Sequence, residues 1–583
     1  MRTIIGLIVF WISTFGYLIY TKKKTKLPYE IALPIIFSLI GILMFIGGIL
    51  NMMIEFTIVI LLLGLILFAY SFIKKEIKIK ELFNENFIII ALLFLYITIV
   101  FSRMNLLHYD NFSHWGLIVK NMFIYNRLPN FENAVIEFKN YQPGSACFIY
   151  YIGLIFGKTE GSMIIGQNYL LLSYFISLFA LIKQKEKNNI LKILLLVLYI
   201  FMLFANKGFK PHDLLVDTLI ANMTICSFVI LTYFKNDMKK GIIFNLPILI
   251  FLFLVKNTGI ILVGFSCLYI LYLGIVNKEW KKGLIYAILS GLITVVFFYI
   301  WSKHVSYVYG SAALASKHSL SADNFGSQLS SKGLSGIIEI IKIYVKHFLQ
   351  ISNNLPHKYM IGINVIVISL VGFFKKNKKE FLYCLAAINI VYLLYYGILG
   401  VMYLVSMPLG EARILAGFDR YMMTIICVVV GIVAIFYIRY IEKENKIVYY
   451  IISTILIFIM SFVTVKYNIG DYKILFGDMK YNNTTAYKLD KILKSNNYSA
   501  KLDEYYYIYA PSTSKNDFGY MNYLSKYKLN TKNVTIVKEL HQLYNQSTEY
   551  KNKIIIIDEE EKIYDYIKNN NYIKHDNMYI NAH

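Results

Sequence analysis

A carboxylate and two imidazoles stand close together in residues 108–115, immediately after a long apolar segment. The carboxylate is Asp110, and the imidazoles belong to His108 and His114. A carboxylate can act as a general base or hold a divalent cation, and a neighbouring histidine can orient or assist it. If residues 110–123 form a regular helix, Asp110 and His114 share its polar face. The competing interpretation is an ordinary interfacial helix with a solvated polar face.

Other ionisable residues stand near the ends of apolar segments, where a charge is costly unless it faces a polar cavity or another charge. These candidates are Asp213, Asp217, Lys256, Glu411, Arg413, Asp419 and Arg420. Their common placement near span ends favours one shared site. The structural alternative is simple charge pairing, between Asp419 and Arg420 or between Asp213 and Lys256.

The composition is that of a helical membrane protein. Of 583 residues, 57% are hydrophobic, and the mean hydropathy is +0.54. Apolar stretches of about 20 residues recur along the chain, and each can cross a hydrocarbon core of roughly 30 Å. Because a backbone in lipid must satisfy its own hydrogen bonds, and these stretches are too long for barrel strands, we expect an all-α polytopic fold. The five cysteines stand in apolar surroundings, which predicts small buried side chains.

Hydropathy predicts about fourteen spans, with the N-terminus outside. The expected spans are 3–20, 29–50, 52–73, 87–104, 162–182, 190–205, 213–234, 242–255, 258–276, 283–301, 359–374, 381–403, 420–439 and 447–465. We expect the first span to stay uncleaved, because its lysine cluster follows the apolar run instead of preceding it. Residues 145–157 are apolar but short, which predicts an interfacial or re-entrant helix in the first large outer loop, residues 105–161.

The formal net charge of +24 comes largely from lysines and arginines in short loops. With fourteen spans, all seven basic clusters fall on one side of the membrane, which the positive-inside rule makes the cytoplasmic side. The basic charge is therefore mainly a topology signal and an opportunity to contact anionic lipid, and we expect no nucleic-acid partner. The pattern predicts a multi-pass protein of a bacterial cytoplasmic membrane, with the candidate residues on its outer side.

The chain after the last span has a different character. Residues 1–466 form the transmembrane module, and residues 467–583 are rich in Asn, Lys, Tyr and Asp. Three short apolar runs there, Tyr505–Ala510, Val534–Val537 and Ile554–Ile557, predict buried parallel strands. The runs Phe518–Tyr527 and Glu559–Lys568 predict helices. We therefore expect a small extracytoplasmic α/β domain with a structural or acceptor-guiding role.

A carboxylate combined with several Lys and Arg at the outer membrane edge suits one reaction class. The carboxylate can deprotonate an acceptor hydroxyl or hold a divalent cation. The cations can stabilise negative charge on the phosphate leaving group of a lipid-linked sugar. Lys acts on phosphate as a point charge, whereas Arg can grip it with two hydrogen bonds.

Five short segments, with the order of spans and the C-terminal region, carry a resemblance to a known family. They are Tyr109–Trp115, Leu128–Pro129, Tyr141–Gly144, Lys256–Gly259 and Phe418–Tyr421. The chain resembles the GT-C superfamily of integral-membrane glycosyltransferases, and over residues 85–440 it resembles bacterial multi-pass proteins of surface-polysaccharide clusters. The resemblance implies a polyprenyl-phosphate-linked sugar donor and an essential acid in the first large outer loop. Asp110 matches that acid by its context.

One departure from the family's pattern concerns metal. Many members have two acidic residues in the first-loop motif, whereas here Asn111 follows Asp110. A divalent cation (Mg²⁺ or Mn²⁺) is therefore an open question, with Asp110 as its ligand if one binds. Glu132 or Glu137, later in the same loop, could supply the second carboxylate.

The primary hypothesis is a glycosyltransferase that moves a sugar from a polyprenyl-phosphate donor to a cell-envelope polysaccharide or lipid-linked glycan. Asp110 would act as base or metal ligand, and His114 or His108 would orient or assist it. The donor phosphate would contact Lys256, Arg413 and Arg420. One alternative is a polysaccharide polymerase or ligase of the Wzy type, which relies on arginines in outer loops. The other is a transporter or flippase of lipid-linked glycans, which would show charges at mid-span and internal repeats.

Overall fold

The computed structural model describes most of the chain. The described residues are 2–74, 85–129, 135–183, 188–205, 210–310, 313, 322–351, 354–374, 376–441, 443, 446–468, 471–495, 504–544, 551–575 and 578–581. Among the predicted site residues, Glu132 lies outside this described part.

Helices dominate the described chain. In its first half they are α1 (Arg2–Thr25), α2 (Tyr29–Ile49), α3 (Met53–Ile73), α4 (Glu85–Phe101), α5 (Gly116–Tyr125), α6 (Gly144–Phe156), α7 (Glu160–Phe175), α8 (Asn189–Ala205), α9 (Asp217–Tyr233), α10 (Met238–Val255) and α11 (Gly259–Val276). In its second half they are α12 (Trp280–Tyr309), α13 (Ala322–Leu349), α14 (Leu355–Phe373), α15 (Lys378–Val405), α16 (Leu409–Arg413), α17 (Phe418–Ile441), α18 (Lys446–Asn468), α19 (Thr485–Ser495), α20 (Tyr520–Leu529) and α21 (Glu561–Asn569).

Many of these helices suit a lipid bilayer. Eleven described helices are long and apolar enough to cross a membrane, and four shorter apolar helices accompany them. All fourteen predicted spans coincide with helices of these two groups, so a helical polytopic fold is confirmed. The number of crossings stays a prediction, since three of the fourteen fall on the shorter helices.

The helices form a bundle with a buried centre and a lipid-facing rim. In the most apolar stretch of α7 and the 3₁₀ turn that follows it, 100% of the residues are buried. In the corresponding stretches of α3 and α12, only 22% of the residues are buried. Polar side chains on α7 are consequently sequestered from lipid, and they bond the backbone of other segments. The α7 helix is therefore buried at the centre of the bundle, where its polar side chains can fix the polar loops by hydrogen bonds.

The short helix α6 begins and ends close to the same end of the bundle. The Thr3 hydroxyl donates to the Phe156 carbonyl at 3.3 Å, at the first turn of α1. At the other end of α6, Gly144 lies so close to α10 that a Cβ would approach the Leu254 carbonyl oxygen to 2.5 Å. Both neighbours stand at predicted outer ends of spans, which agrees with an interfacial or re-entrant helix.

The C-terminal region contains a five-stranded sheet in the order β2-β1-β3-β5-β4. Its strands are β1 (Glu504–Tyr509), β2 (Val534–Val537), β3 (Lys551–Ile556), β4 (Tyr572–His575) and β5 (Met578–Asn581). The first three are parallel, as predicted, and α20 and α21 coincide with the two predicted helices. The antiparallel pair β4 and β5, which extends the sheet beyond β3, was not predicted from the sequence.

The α20 helix of the C-terminal region docks on the segment that contains Asp110. The Phe112 ring packs against Tyr520 and Tyr527 of α20, with ring centroids 5.7 and 5.0 Å apart. The Lys120 ammonium donates to the backbone carbonyls of Tyr527 and Lys528 at 2.6 and 3.1 Å. The segment that contains Asp110 is therefore fixed by α20 as well as by the bundle.

Candidate active site

Four charged side chains form a continuous network at one end of the bundle. The Arg420 Nη1 lies 2.5 Å from Asp110 Oδ2, and its Nε lies 3.8 Å from Asp217 Oδ2. The other oxygen of Asp217 accepts a hydrogen bond from Lys256 at 2.7 Å. We call Asp110, Arg420, Asp217 and Lys256 the charge network. It places two carboxylates and two cations together, with formal charges that balance.

Three members of the charge network stand at the ends of α-helices. Asp217 is the first residue of α9, where a carboxylate interacts favourably with the helix dipole. Arg420 lies in the first turn of α17, and Lys256 follows the last residue of α10. Since all three helix ends meet at one level, their charges reach the same place without entering mid-bundle.

Asn111 ties the Asp110 segment to the chain that precedes α9. Its side-chain amide donates to Asp213 Oδ1 at 3.4 Å, and its carbonyl oxygen accepts from the Leu214 backbone at 3.0 Å. On the other side of that segment, Asn168 and Gln167 of α7 donate to the carbonyls of Pro211 and Leu215 at 2.7 and 2.9 Å. An aspartate side chain could not donate this hydrogen bond, which gives a physical reason for an amide side chain at the position after Asp110.

His108 contacts the charge network through the backbone. Its Nδ1 accepts a hydrogen bond from the Asp110 amide at 3.1 Å, so this nitrogen carries no proton. Burial lowers the pKa of His108, and the positive charges of Arg420 and Lys210 lower it further against the opposite effect of Asp110 and Asp217. His108 is therefore a neutral imidazole that fixes the conformation at Asp110.

His114 does not lie beside Asp110, and the predicted regular helix is wrong here. Residues Asn111–Trp115 form a π-helical turn, which rotates the side chains away from 3.6-residue spacing. The His114 ring packs against Trp115 and Tyr141, and neither ring nitrogen has a hydrogen-bond partner among the described residues. Burial lowers the pKa of His114 to about 3, so it is a neutral core side chain.

The remaining predicted residues divide between other contacts. Arg413 pairs with Glu339 at 2.8 Å on the surface, both side chains about half exposed, and does not reach the charge network. Glu137 pairs with Lys526 of α20 at 2.9 Å. Asp419 is exposed at the start of α17, and Glu411 lies in α16 near Tyr141.

The two charge pairs considered from the sequence are not the pairs that form. Arg420 contacts Asp110 and Asp217 instead of its neighbour Asp419. Lys256 contacts Asp217 instead of Asp213. The predicted span from residue 213 is also shorter, because α9 begins at Asp217 and leaves Asp213 in the preceding segment. There Asp213 accepts the Lys210 backbone amide at 3.1 Å.

A small aromatic cavity of about 50 Å³ adjoins the charge network at Lys256. Trp115, Tyr141, Tyr395 and Tyr421 contribute to its wall. The Tyr421 ring lies under both cations, 5.2 Å from the Lys256 Nζ and 5.3 Å from the Arg420 guanidinium carbon. The sequence analysis did not assign a role to Tyr395 or Tyr421, although Tyr421 directly follows Arg420.

The residues around Asp110 do not suit a resident metal ion. No group of three His, Cys, Asp or Glu side chains comes together in the part of the chain that the structure describes. One Asp110 oxygen is held by Arg420, and the Nδ1 of His108 is occupied by a backbone amide. Metal ligation at Asp110 would compete with the guanidinium, so no step is derived through a cation.

The arrangement offers a carboxylate whose partner is itself an anion-binding group. Arg420 can exchange Asp110 for a phosphate oxygen, since a guanidinium binds both anions with the same fork of donors. Such an exchange would free the Asp110 carboxylate for proton transfer. Comparison with known proteins adds no assignment: no family model, no curated protein and no solved structure matches this chain.

Proposed function

We propose that this chain is a membrane glycosyltransferase that transfers a sugar from a polyprenyl-phosphate donor to a glycan acceptor at the outer face of the cytoplasmic membrane. The observation that carries the proposal is the ion pair between Asp110 and Arg420. It brings a potential base and a potential phosphate ligand together from segments 310 residues apart. Asp217 and Lys256 extend this pair into a network beside an aromatic cavity.

Donor binding would begin with the phosphate. Arg420 and Lys256 are the two cations of the charge network, and Tyr421 lies against both. A phosphate entering between them would replace Asp110 on the guanidinium and gain charge-assisted hydrogen bonds. Asp217 would keep both cations positioned, because it is buried and contacts each of them.

The transfer step then uses the freed Asp110 carboxylate. The acceptor hydroxyl oxygen attacks the anomeric carbon of the donor sugar while Asp110 takes its proton. The bond between that carbon and the phosphate oxygen breaks, and the electron pair leaves with the phosphate. Arg420 and Lys256 stabilise the charge that develops on this leaving group. The products are the glycosylated acceptor and polyprenyl phosphate.

The proposed topology has fourteen crossings, with the charge network and the C-terminal region outside. Support comes from helices at all fourteen predicted spans and from the basic clusters that alternate with the candidate loops. In this orientation a lipid-linked donor in the outer leaflet has its phosphate at the depth where Arg420 and Lys256 stand.

The experiment that tests the function uses the full chain reconstituted in proteoliposomes. Short-chain polyprenyl phosphates carrying radiolabelled hexose, N-acetylhexosamine or pentose are each supplied with a cell-envelope glycan extract. The proposal predicts label transfer to the extract and stoichiometric release of polyprenyl phosphate from one donor. Because no resident metal ion is expected, transfer should continue in EDTA.

Other outcomes distinguish the alternatives. Lengthening of diphosphate-linked glycans, lost on changing Arg413 but not Asp110, would instead identify a polymerase or ligase. Movement of labelled lipid between leaflets without any transfer of label would identify a transporter. Either result would overturn the proposed function.

A further inference from the structure

A second and larger cavity is lined by residues just before Asp110, whereas the aromatic cavity is lined by Trp115, just after it. Its volume is about 600 Å³. The wall is built from three separate parts of the chain: the residues before Asp110, the segment that precedes α9, and residues 471–480 after the last long helix, α18. We call it the polar cavity, because lysine, histidine and aspartate side chains supply much of its wall.

An ion pair joins two parts of the wall of the polar cavity. The Lys210 ammonium lies 2.9 Å from Asp471 Oδ1, which joins the segment before α9 to the chain after α18. The Asp213 carboxylate is fixed by the Lys210 amide and the Asn111 side chain. Both walls are therefore positioned before any ligand arrives.

One polar atom of this wall has no partner. His212 is 4% exposed, and its Nδ1 makes no hydrogen bond to any described residue. Its Nε2 lies 3.9 Å from Asp213 Oδ1, too far for a good hydrogen bond. A buried imidazole without a partner loses the free energy of that hydrogen bond, and a small shift of the His212 ring that exposed Nδ1 to the cavity would let a ligand hydroxyl supply it.

The charges of the polar cavity favour a neutral ligand. Lys210, Lys473 and Lys480 line it together with the carboxyl groups of Asp213, Asp471 and Asp478, so cationic and carboxyl groups are mixed on the wall and no single charge dominates. Such a wall offers donors and acceptors in alternation, which matches a ligand with many hydroxyl groups.

Tyr472 adds an aromatic face to that wall. It is 46% exposed, so its ring is available to a ligand that enters the cavity. An apolar ring face beside several hydrogen-bonding groups suits the alternating polar and apolar faces of a sugar ring.

We infer that the polar cavity binds the sugar units of a neutral glycan, the acceptor of the proposed reaction. This inference rests on the proposed function for the word acceptor, whereas the binding of neutral glycan stands on the cavity itself. His108 connects the two sites: it lines the cavity, and its Nδ1 accepts the backbone amide of Asp110. Donor and acceptor would therefore reach the charge network through two different cavities.

Binding can be measured without turnover. The full chain in lipid nanodiscs is titrated with neutral trisaccharides, maltotriose and chitotriose, and with pyrophosphate, by saturation-transfer NMR and equilibrium dialysis. We expect saturable binding of at least one trisaccharide, weakened about tenfold in both His212→Ala and Tyr472→Ala. Tyr544→Ala, a matched change at another exposed tyrosine, should bind like the wild type.

The controls separate this inference from the proposed function. Asp110→Asn should retain trisaccharide binding, so full transfer by that variant would refute the catalytic role and leave the cavity assignment standing. Tyr472→Ala changes a surface side chain, so its folded state can be verified by an unchanged melting temperature. The inference is overturned by no trisaccharide binding, by binding unaffected in Tyr472→Ala and His212→Ala, or by preferential binding of pyrophosphate.

Discussion

At the scale of single residues, Arg420 determines the geometry of the site because it contacts two carboxylates at once. A guanidinium presents a planar fork with several donors, whereas an ammonium is a compact point charge. Asp110 lies at hydrogen-bond distance from Nη1, whereas Asp217 lies 3.8 Å from Nε, an ionic contact without a hydrogen bond. Retaining positive charge is therefore not enough to retain the arrangement.

We predict that Arg420→Lys lowers the rate of sugar transfer by about 10²-fold or more while the protein still inserts and folds. One ammonium cannot stay beside Asp217 while other donors exchange Asp110 for the phosphate. The matched control is Arg439→Lys in the last turn of the same helix α17, which should keep nearly full activity. Initial rates in proteoliposomes measure both. Equal activity of the two variants would contradict the role of Arg420.

Asp213 gives a prediction about pH. Burial raises its pKa from 3.8 to about 7, against the lowering by the Lys210 amide and the Asn111 side chain. The folded state then holds this proton over pH values at which the unfolded chain has lost it, so stability falls as pH rises from about 4 to 7. The nearby charged groups of Lys210 and Asp110 are unchanged in a variant at position 213.

We therefore expect Asp213→Asn to be more stable than the wild type at pH 8. The stability advantage of the variant at pH 8 should exceed its advantage at pH 5 by roughly 2–3 kcal/mol. Asparagine keeps the acceptor for the Lys210 amide and carries no buried negative charge. Melting temperatures in detergent at the two pH values measure the difference. If the advantage of the variant were the same at both, Asp213 would not hold a proton in the folded state.

At the scale of elements, the docking of α20 on the bundle depends on one buried cation. Lys528 lies 2.8 Å from Glu160 at the start of α7 and 3.0 Å from Asp490 of α19, and its side chain is 6% exposed. It thus joins three helices. Lys526, two residues earlier, forms only a surface pair with Glu137.

Lys528→Met should destabilise the docked state by about 3 kcal/mol, because it leaves two carboxylates without their buried partner. Lys526→Met, the matched change in the same helix, should cost less than about 1 kcal/mol. Hydrogen exchange of α20 amides, followed by mass spectrometry, reports this docking directly. Equal protection in both variants would show that the aromatic contacts of Phe112 suffice.

The sequence predicts the elements better than their mutual contacts. Hydropathy is a local property, so it locates the helices and the three parallel strands. The π-helical turn at Asn111–Trp115 depends on packing that no local pattern encodes, and it places His114 in the core. The pair of Asp110 with Arg420 depends on how α17 packs in the bundle, which is why Arg420 was expected to bind phosphate but not to contact Asp110.

At the scale of the whole molecule, the orientation in the membrane decides which substrates can reach the charge network. In a variant without the native cysteines, Phe518→Cys and Lys278→Cys place one label on each predicted side. Phe518 is 94% exposed. In intact cells a membrane-impermeant maleimide should label position 518, whereas position 278 should react only after permeabilisation. The reverse pattern would put the C-terminal region and the charge network inside.

The two cavities are built by different parts of the molecule. The bundle supplies the cations and the aromatic cavity, and the chain after the last long helix completes the polar cavity. The segment around Asp110 contributes to the walls of both cavities and is fixed by both α7 and α20. A transferase must bring a lipid-linked donor and a polar acceptor together at one catalytic group.

The central claim is that Asp110 is the base of the transfer reaction, and its most direct test is the turnover of Asp110→Asn. Asparagine has nearly the same shape but cannot take a proton, so we predict a loss of about 10²-fold or more in kcat with normal insertion and folding. Asp237→Asn, at a loop position where asparagine also caps the helix, serves as the matched control and should be fully active. Full transfer activity in Asp110→Asn would contradict the account.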